Sequence, residues 1–206
     1  AKRTNLDKDV DIIMNSAVNY YGEGVTEDDV ISYYAAMKTD PDRPIEKGLN
    51  SKLVKENGKL SEKVWKSGGM YGEAIDKIIP WLEKAIGVAE NQEQIDALNL
   101  LIEYYKTGDL NTWDAYAIAW LKAEGNIDWH HGFIEVYNDP KGHKGAYESV
   151  IQIKDFDMSA KMEVLSKEAQ WFEDNSPLMP EHKKETVTGV SYKTVVVASE
   201  AGDSSP

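Results

Sequence analysis

The chain contains no cysteine, which excludes a disulfide framework, a thiolate nucleophile and any cysteine-ligated zinc. That absence fits a reducing compartment, and a cytoplasmic location is the expectation. Long apolar runs are missing as well. None approaches the roughly 18 residues that a membrane-spanning helix needs. Ala1-Lys2-Arg3-Thr4-Asn5 opens on charge, without the apolar stretch of a signal peptide, although a processed start reads the same way. Positive charge is scarce: 23 basic against 36 acidic side chains leave a net charge of −13. Such a field repels phosphate backbones and anionic lipid, so neither nucleic acid nor membrane is expected as a partner. It suits a cationic ligand or plain solubility.

Catalytic motifs are also lacking. The four histidines, His130, His131, His143 and His182, fall in no His-Glu-x-x-His arrangement. No Gly-x-Ser-x-Gly elbow is present, and Gly68-Gly69 runs into Met70-Tyr71-Gly72 without the Lys-Ser/Thr of a phosphate loop. His131 and Glu135 stand four apart. In a strand that separation is too wide to grip one ion easily, and closed zinc sites use three or four ligands. No catalytic residue and no metal ligand is therefore expected within these 206 residues.

What is present fits a globular chain of one domain or one and a half: 41% hydrophobic and 10% aromatic. Apolar residues at Val10, Ile13, Met14, Ala17, Val18 and Tyr21 have helical spacing, ended by Gly22 and Gly24. Thr26 with Asp29 resembles a capping box opening a second helix, with Val30, Tyr34 and Met37 inward. Pro41 to Pro44 is a loop. Asn57-Gly58, between Leu53-Val54 and Leu60 to Val64, predicts a hairpin. Three helices follow, marked by Ile75 to Ala89 with a kink at Pro80, by Ile95 to Tyr105 closed by Gly108, and by Trp113 to Leu121 capped by Asn111 or Thr112. Residues 127–137 read as extended, and Asn138 to Gly142 as a turn. One helix is expected over Met158 to Phe172, broken by Pro177 and Pro180. Thr186 to Ala198 reads as a strand, its Thr194-Val195-Val196-Val197 run buried on both faces, and Ser199 to Pro206 as a tail or as the edge of a cut fold.

The most suggestive segment is Gly132 to Pro140. As a strand it would turn Ile134 and Val136 to a core, and Phe133, Glu135 and Tyr137 to the other side. A carboxylate between two aromatic rings can accept hydrogen bonds from an ammonium group, and a phenol can donate to a peptide carbonyl. A solvated glutamate on a half-exposed strand fits the same pattern.

Phe133-Ile134-Glu135-Val136-Tyr137-Asn138-Asp139-Pro140 resembles the Phe-Ile-Glu-x-Tyr-x-Asp-Pro signature of the dipeptidyl peptidase III family of zinc metallopeptidases. Gly48 to Gly58, Tyr71 through Trp81 to Ala85, Tyr105 to Leu110, Ala169 to Asp174 and Ala201-Gly202-Asp203 resemble its bacterial branch in the same order. His130-His131 departs from the less polar residues that the family implies there. The resemblance implies an α+β, helix-dominated lobe with a small antiparallel β-barrel-like sheet. It assigns residues 1–145 to a lower lobe, 146–185 to a helical excursion toward an upper lobe, and 186–206 to a truncated return strand. It implies zinc in a longer parent, held by residues that follow this chain, and short peptides as substrates that lose dipeptides from their amino termini. Glu135, Tyr137 and Phe133 would be substrate-binding, and the chain alone inactive. The alternative is a non-enzymatic helical binding or scaffolding module with an acidic surface; the length of the parent gene separates the two.

Overall fold

The computed structural model describes residues 3–42, 44–188 and 194–202. Its α+β architecture comes from six helices and two small antiparallel sheets among the described residues, and no barrel is closed there.

The first helical stripe does not become a helix: residues 10–21 form turns and a bridge. Asp11 Oδ1 accepts from the Ile13 and Met14 amides at 3.0 and 2.9 Å, and Asn15 and Ser16 donate side-chain hydrogen bonds to the Asp11 and Ile12 carbonyls. These short polar side chains offer the backbone an alternative to the helical ladder. The segment's end runs beside a strand instead, with Gly22 N–H on the Leu53 carbonyl at 2.7 Å and Leu53 N–H on the Tyr20 carbonyl at 3.0 Å. Helix α1, Glu27–Ala36, starts as the capping box predicts. Thr26 Oγ1 accepts from the Asp29 amide, while the Asp29 carboxylate accepts from the Thr26 amide. Val30 and Tyr34 join Ile13, Tyr21, Val25 and Leu53 in a first apolar cluster.

Strands β1, Ser51–Glu56, and β2, Lys59–Val64, form the hairpin that Asn57-Gly58 predicts. Both turn residues have positive φ, 51° and 77°, which is what a two-residue turn matching strand twist requires. Helices α2, Gly72–Ile86, α3, Gln92–Thr107, and α4, Leu110–Lys122, carry the second, larger cluster. Pro80 lies inside α2 without ending it. Gly108, at φ 71°, closes α3 by donating to the Tyr104 carbonyl. The cap of α4 is Asp109, earlier than the expected Asn111 or Thr112, because its carboxylate reaches the Asn111 amide at 2.9 Å.

Strand β3, Ile127–Glu135, pairs with β4, Ala146–Lys154, and β4 with β5, Val195–Gly202, all antiparallel. Strand β4 occupies a stretch for which the sequence suggested no regular element. The single helix expected over Met158 to Phe172 is divided at Glu168 into α5, Phe156–Lys167, and α6, Ala169–Asp174. Pro180 then opens a short 3-10 turn. The run Thr194 to Val197 is not buried on both faces. β5 is an edge strand paired with β4, and Val196 and Val197 are 58% and 45% exposed. A central strand would have needed a second neighbour and a layer over each face. Residues 189–193 of the expected strand, and Asp203 to Pro206 of the expected tail, lie outside the described residues. No helix among the described residues is long and apolar enough to cross a membrane.

Candidate functional site

The Phe133 to Pro140 signature occupies the end of β3 and the first half of a long loop, residues 136–145, that leads into β4. Regular pairing runs from Ile127↔Ile153 to Phe133↔Tyr147; the next pair is Glu135↔Ala146, so Ile134 is the extra residue of a bulge. A bulge interrupts the alternation on which a shared face depends. The expectation that Phe133, Glu135 and Tyr137 share one face is therefore corrected. Phe133 is buried, with ring centroids 4.7 Å from Trp65 and 5.8 Å from Tyr147. Glu135, the last residue of β3, is exposed, and Tyr137, beyond the strand, is 64% exposed. Ile134 and Val136 are half-buried.

The next two residues turn inward. Asn138 and Asp139 are buried, and the Asn138 carbonyl accepts from Thr4 Oγ1 at 2.8 Å. The Asp139 carboxylate accepts from the Tyr21 hydroxyl, 2.9 Å from each oxygen, and from the amides of Lys141, His143 and Lys144 at 3.3, 2.8 and 3.0 Å. Burial, and then the Asp139 charge, push the Tyr21 phenol well above its ordinary pKa, so it stays a donor. Sequence reading gave Asp139 no role. Its only local signal was the Asn-Asp-Pro-Lys-Gly turn composition, because Tyr21 is far away in the chain.

Lys144 is fully buried. Its ammonium contacts the Tyr34 hydroxyl, donates to Ser51 Oγ at 3.0 Å and lies 3.6 Å from Glu62 Oε1. Burial pulls its pKa down to about 8 against the opposing attraction of Glu62 and Asp139. His131 is held between two tyrosines, with Tyr105 Oη 2.7 Å from Nδ1 and Tyr147 Oη 3.2 Å from Nε2. Burial lowers its pKa to about 4, so the ring is neutral and one tyrosine donates while the other accepts. Both ring nitrogens are thus engaged, which separates His131 from any pairing with Glu135. Among the described residues no group of three His, Asp or Glu could hold a metal ion.

Beside this strand end lies an apolar hollow of about 410 Å³, lined by Tyr20, Trp65, Tyr71, Phe133, Ala146 and Tyr147 among others. Ala146 is the register partner of Glu135. The exposed carboxylate, the exposed phenol and the hollow therefore occupy one end of the β3–β4 pair. Chemically, this end can accept hydrogen bonds from a cationic amine, donate to a carbonyl and receive apolar surface. It holds no nucleophile–base pair that could perform a reaction unaided.

Residues 18–206 match Peptidase family M49. Dipeptidyl peptidase 3 from Rattus norvegicus and from Homo sapiens are each 30% identical over 139 residues, covering 67% of this chain and 19% of the relative. The chain thus aligns with about a fifth of the length of these relatives. Among solved structures, that of DPP III from Caldithrix abyssi superposes with a TM-score of 0.71 at 23% identity, covering 90% of this chain and 35% of the other. Dipeptidyl-peptidase III from Corallococcus sp. strain EGB gives 0.62 at 20% identity, covering 90% and 34%.

Proposed function

Because the chain belongs to Peptidase family M49, we propose that it is the peptide-binding part of a zinc-dependent exopeptidase that releases dipeptides from the amino termini of short peptides. The observation that carries this reading is the exposure of Glu135, at the end of β3, and of Tyr137, just beyond it, in a signature whose Phe133, Asn138 and Asp139 are buried. Their exposure beside the apolar hollow leaves a carboxylate and a phenol accessible to a peptide. Glu135 receives the substrate's ammonium group, Tyr137 donates to a backbone carbonyl, and Phe133 shapes the apolar wall beside them. Residues 1–145 belong to the lower lobe, 146–185 reach toward the upper lobe, and 186–206 return. The parent works in the cytoplasm.

The described residues do not offer zinc a ligand set. The metal of the parent belongs to residues outside this chain, and this chain's own work is to bind and orient the peptide; alone it is inactive. The test uses the full-length parent with Glu135→Gln, which keeps the shape and removes the charge. Hydrogen bonds to charged groups are worth roughly 1.5–3 kcal/mol, so kcat/KM on a free-amine peptide should fall about 10- to 150-fold. An acetylated analogue should lose much less. Wild-type kcat/KM in a normally folded Glu135→Gln variant would sink the reading.

A further inference from the structure

We propose that Asp139 is a positioning residue: it sets where Tyr137 stands, by tying the β3–β4 loop to the layer formed by α1 and β1. The proposal rests on the peptide-binding reading of Tyr137. Tyr137 lies beyond the last paired residue of β3 and after the bulge, so the strand ladder does not hold it. What brackets it is a four-residue turn, in which the Asp139 amide donates to the Val136 carbonyl at 3.0 Å. Tyr137 and Asn138 are the two central residues of that turn. A displacement of Asp139 therefore rotates the turn that carries the phenol.

The carboxylate of Asp139 is suited to holding and unsuited to binding substrate. An ionised carboxylate offers about four acceptor positions. Here they are taken by Tyr21 Oη and by the amides of Lys141, His143 and Lys144, in a group only 4% exposed. No capacity remains for an incoming amine, in contrast to exposed Glu135. The loop it organises runs over residues 136–145, long for a connection between paired antiparallel strands, which commonly need two to five. A loop of that length keeps one shape only if something internal closes it. Asp139 does so at several points: its own carbonyl accepts from the Gly142 amide at 3.0 Å, while its carboxylate reaches onward to His143 and Lys144.

The anchor is outside the loop. Tyr21 belongs to the cluster of Val30, Tyr34 and Leu53, and its backbone is bridged to Leu53 of β1. Lys144 fastens the far end of the loop to the same layer through Tyr34 and Ser51, and Gly145 N–H donates to the Leu49 carbonyl at 2.8 Å. Tyr137 is thus located by side-chain tethers of its loop to a different layer, through Asp139 and Lys144 and through Lys141 Nζ on Glu27 at 3.0 Å, with Thr4 Oγ1 holding the Asn138 carbonyl beside it. Of the carboxylate and ammonium tethers Asp139 is the nearest.

The experiment compares Tyr21→Phe, Tyr137→Phe and the double variant in the full-length parent, measuring dipeptide release from a free-amine peptide well below the melting temperature. Tyr21→Phe removes one hydroxyl and no packing volume, so it tests the tether without emptying the core; Asp139→Asn is the harsher companion. Tyr21→Phe is expected to lower kcat/KM about three- to tenfold, roughly the share of one hydrogen bond. Added to Tyr137→Phe it should cause no further fall, because a tether for an absent hydroxyl has nothing left to position. A lowered melting temperature with unchanged kcat/KM would show Tyr21 and Asp139 to be structural only and would overturn the inference. So would effects of Tyr21→Phe and Tyr137→Phe that multiply. If Tyr137→Phe alone leaves kcat/KM unchanged, the peptide-binding role of Tyr137 fails, and this inference with it; the first two outcomes remove the inference alone.

Discussion

Between Trp65 and Phe133 most of the large apolar side chains turn inward, although Trp81, Val88 and Leu121 stay exposed. Ile75, Ile79 and Leu82 of α2 meet Leu98, Leu101 and Ile102 of α3 and Tyr116 of α4 in one cluster. Between Val150 and Gly202 they turn outward. Phe156, Val164, Leu165, Trp171, Phe172, Val196 and Val197 are all exposed, and Val150 is the one buried hydrophobic residue described there. Both regions carry helices with apolar residues at helical spacing, and both have capped helix starts. The difference is that α2, α3 and α4 cover one another, whereas α5 and α6 have little to lie against. Helical spacing specifies that a stripe wants cover; it does not specify what supplies the cover.

The sharpest way to break this comparison is to remove volume from each region. Leu101→Ala, at a fully buried position of α3, should destabilise the chain by about 2–5 kcal/mol. Val164→Ala, at a 59% exposed position of α5, should change stability by no more than about 0.5 kcal/mol. Urea unfolding of the two variants reads the contrast directly. Equal losses would mean that α5 is packed in solution and that the two regions are alike.

A second test comes from pH, because His131 of the first region and Lys144 of the β3–β4 loop are both held at shifted pKa and act on stability. His131 stays neutral when folded down to about pH 4, while its ordinary pKa is 6.5. Between those values the unfolded chain binds the extra proton, so stability falls as pH drops through the window, by about 3 kcal/mol when it is complete. His131→Leu should flatten that acid slope in urea midpoints taken from pH 7 to 4. Lys144, whose pKa is lowered to about 8 from 10.5, acts in the alkaline range with the same sign. The unfolded chain again binds more protons, so stability rises as pH climbs above 8, until tyrosine ionisation enters near about 10. Lys144→Met should remove the rise. An unchanged slope in either variant would mean that its group is hydrated in solution.

The smallest expected effect is at the helix caps, and it sharpens the comparison by asking where the loss appears. Thr26→Ala removes half of the α1 capping box and should cost about 1 kcal/mol in the global transition. Asp155 caps α5 through the Met158 amide at 2.9 Å. Its replacement by alanine should instead open α5 locally, seen as faster amide exchange at Met158 with little movement of the urea midpoint. A midpoint shift as large as that of Thr26→Ala would show α5 to be coupled to the main core.

Within the candidate site, Glu135 and Tyr137 were legible as exposed polar groups at the end of an aromatic strand. Their arrangement was not. An alternating pattern predicts a common face only while pairing stays in register, and the bulge at Ile134 ends that register. Phe133, placed with them by alternation, went into the core against Trp65. Asp139 looked like an ordinary turn residue because its partner, Tyr21, lies in the segment that spacing alone assigned to a helix.

The sequence by itself determined what can be settled within a few residues: the Thr26–Asp29 box, the Asn57-Gly58 turn and the Gly108 stop, each closed by hydrogen bonds or backbone angles of neighbouring residues. It also carried the family, through the signature from Phe133 to Pro140. Tertiary structure decided the rest. Turns displaced the expected first helix, β4 formed where no element was expected, β5 came to the edge, and the signature divided into two exposed and three buried residues with the rest half-buried. Apart from the local hydrogen bonds that help to turn residues 10–21, those outcomes depend on partners distant in the chain, and a sequence pattern records that a residue needs a partner without recording which one it will meet.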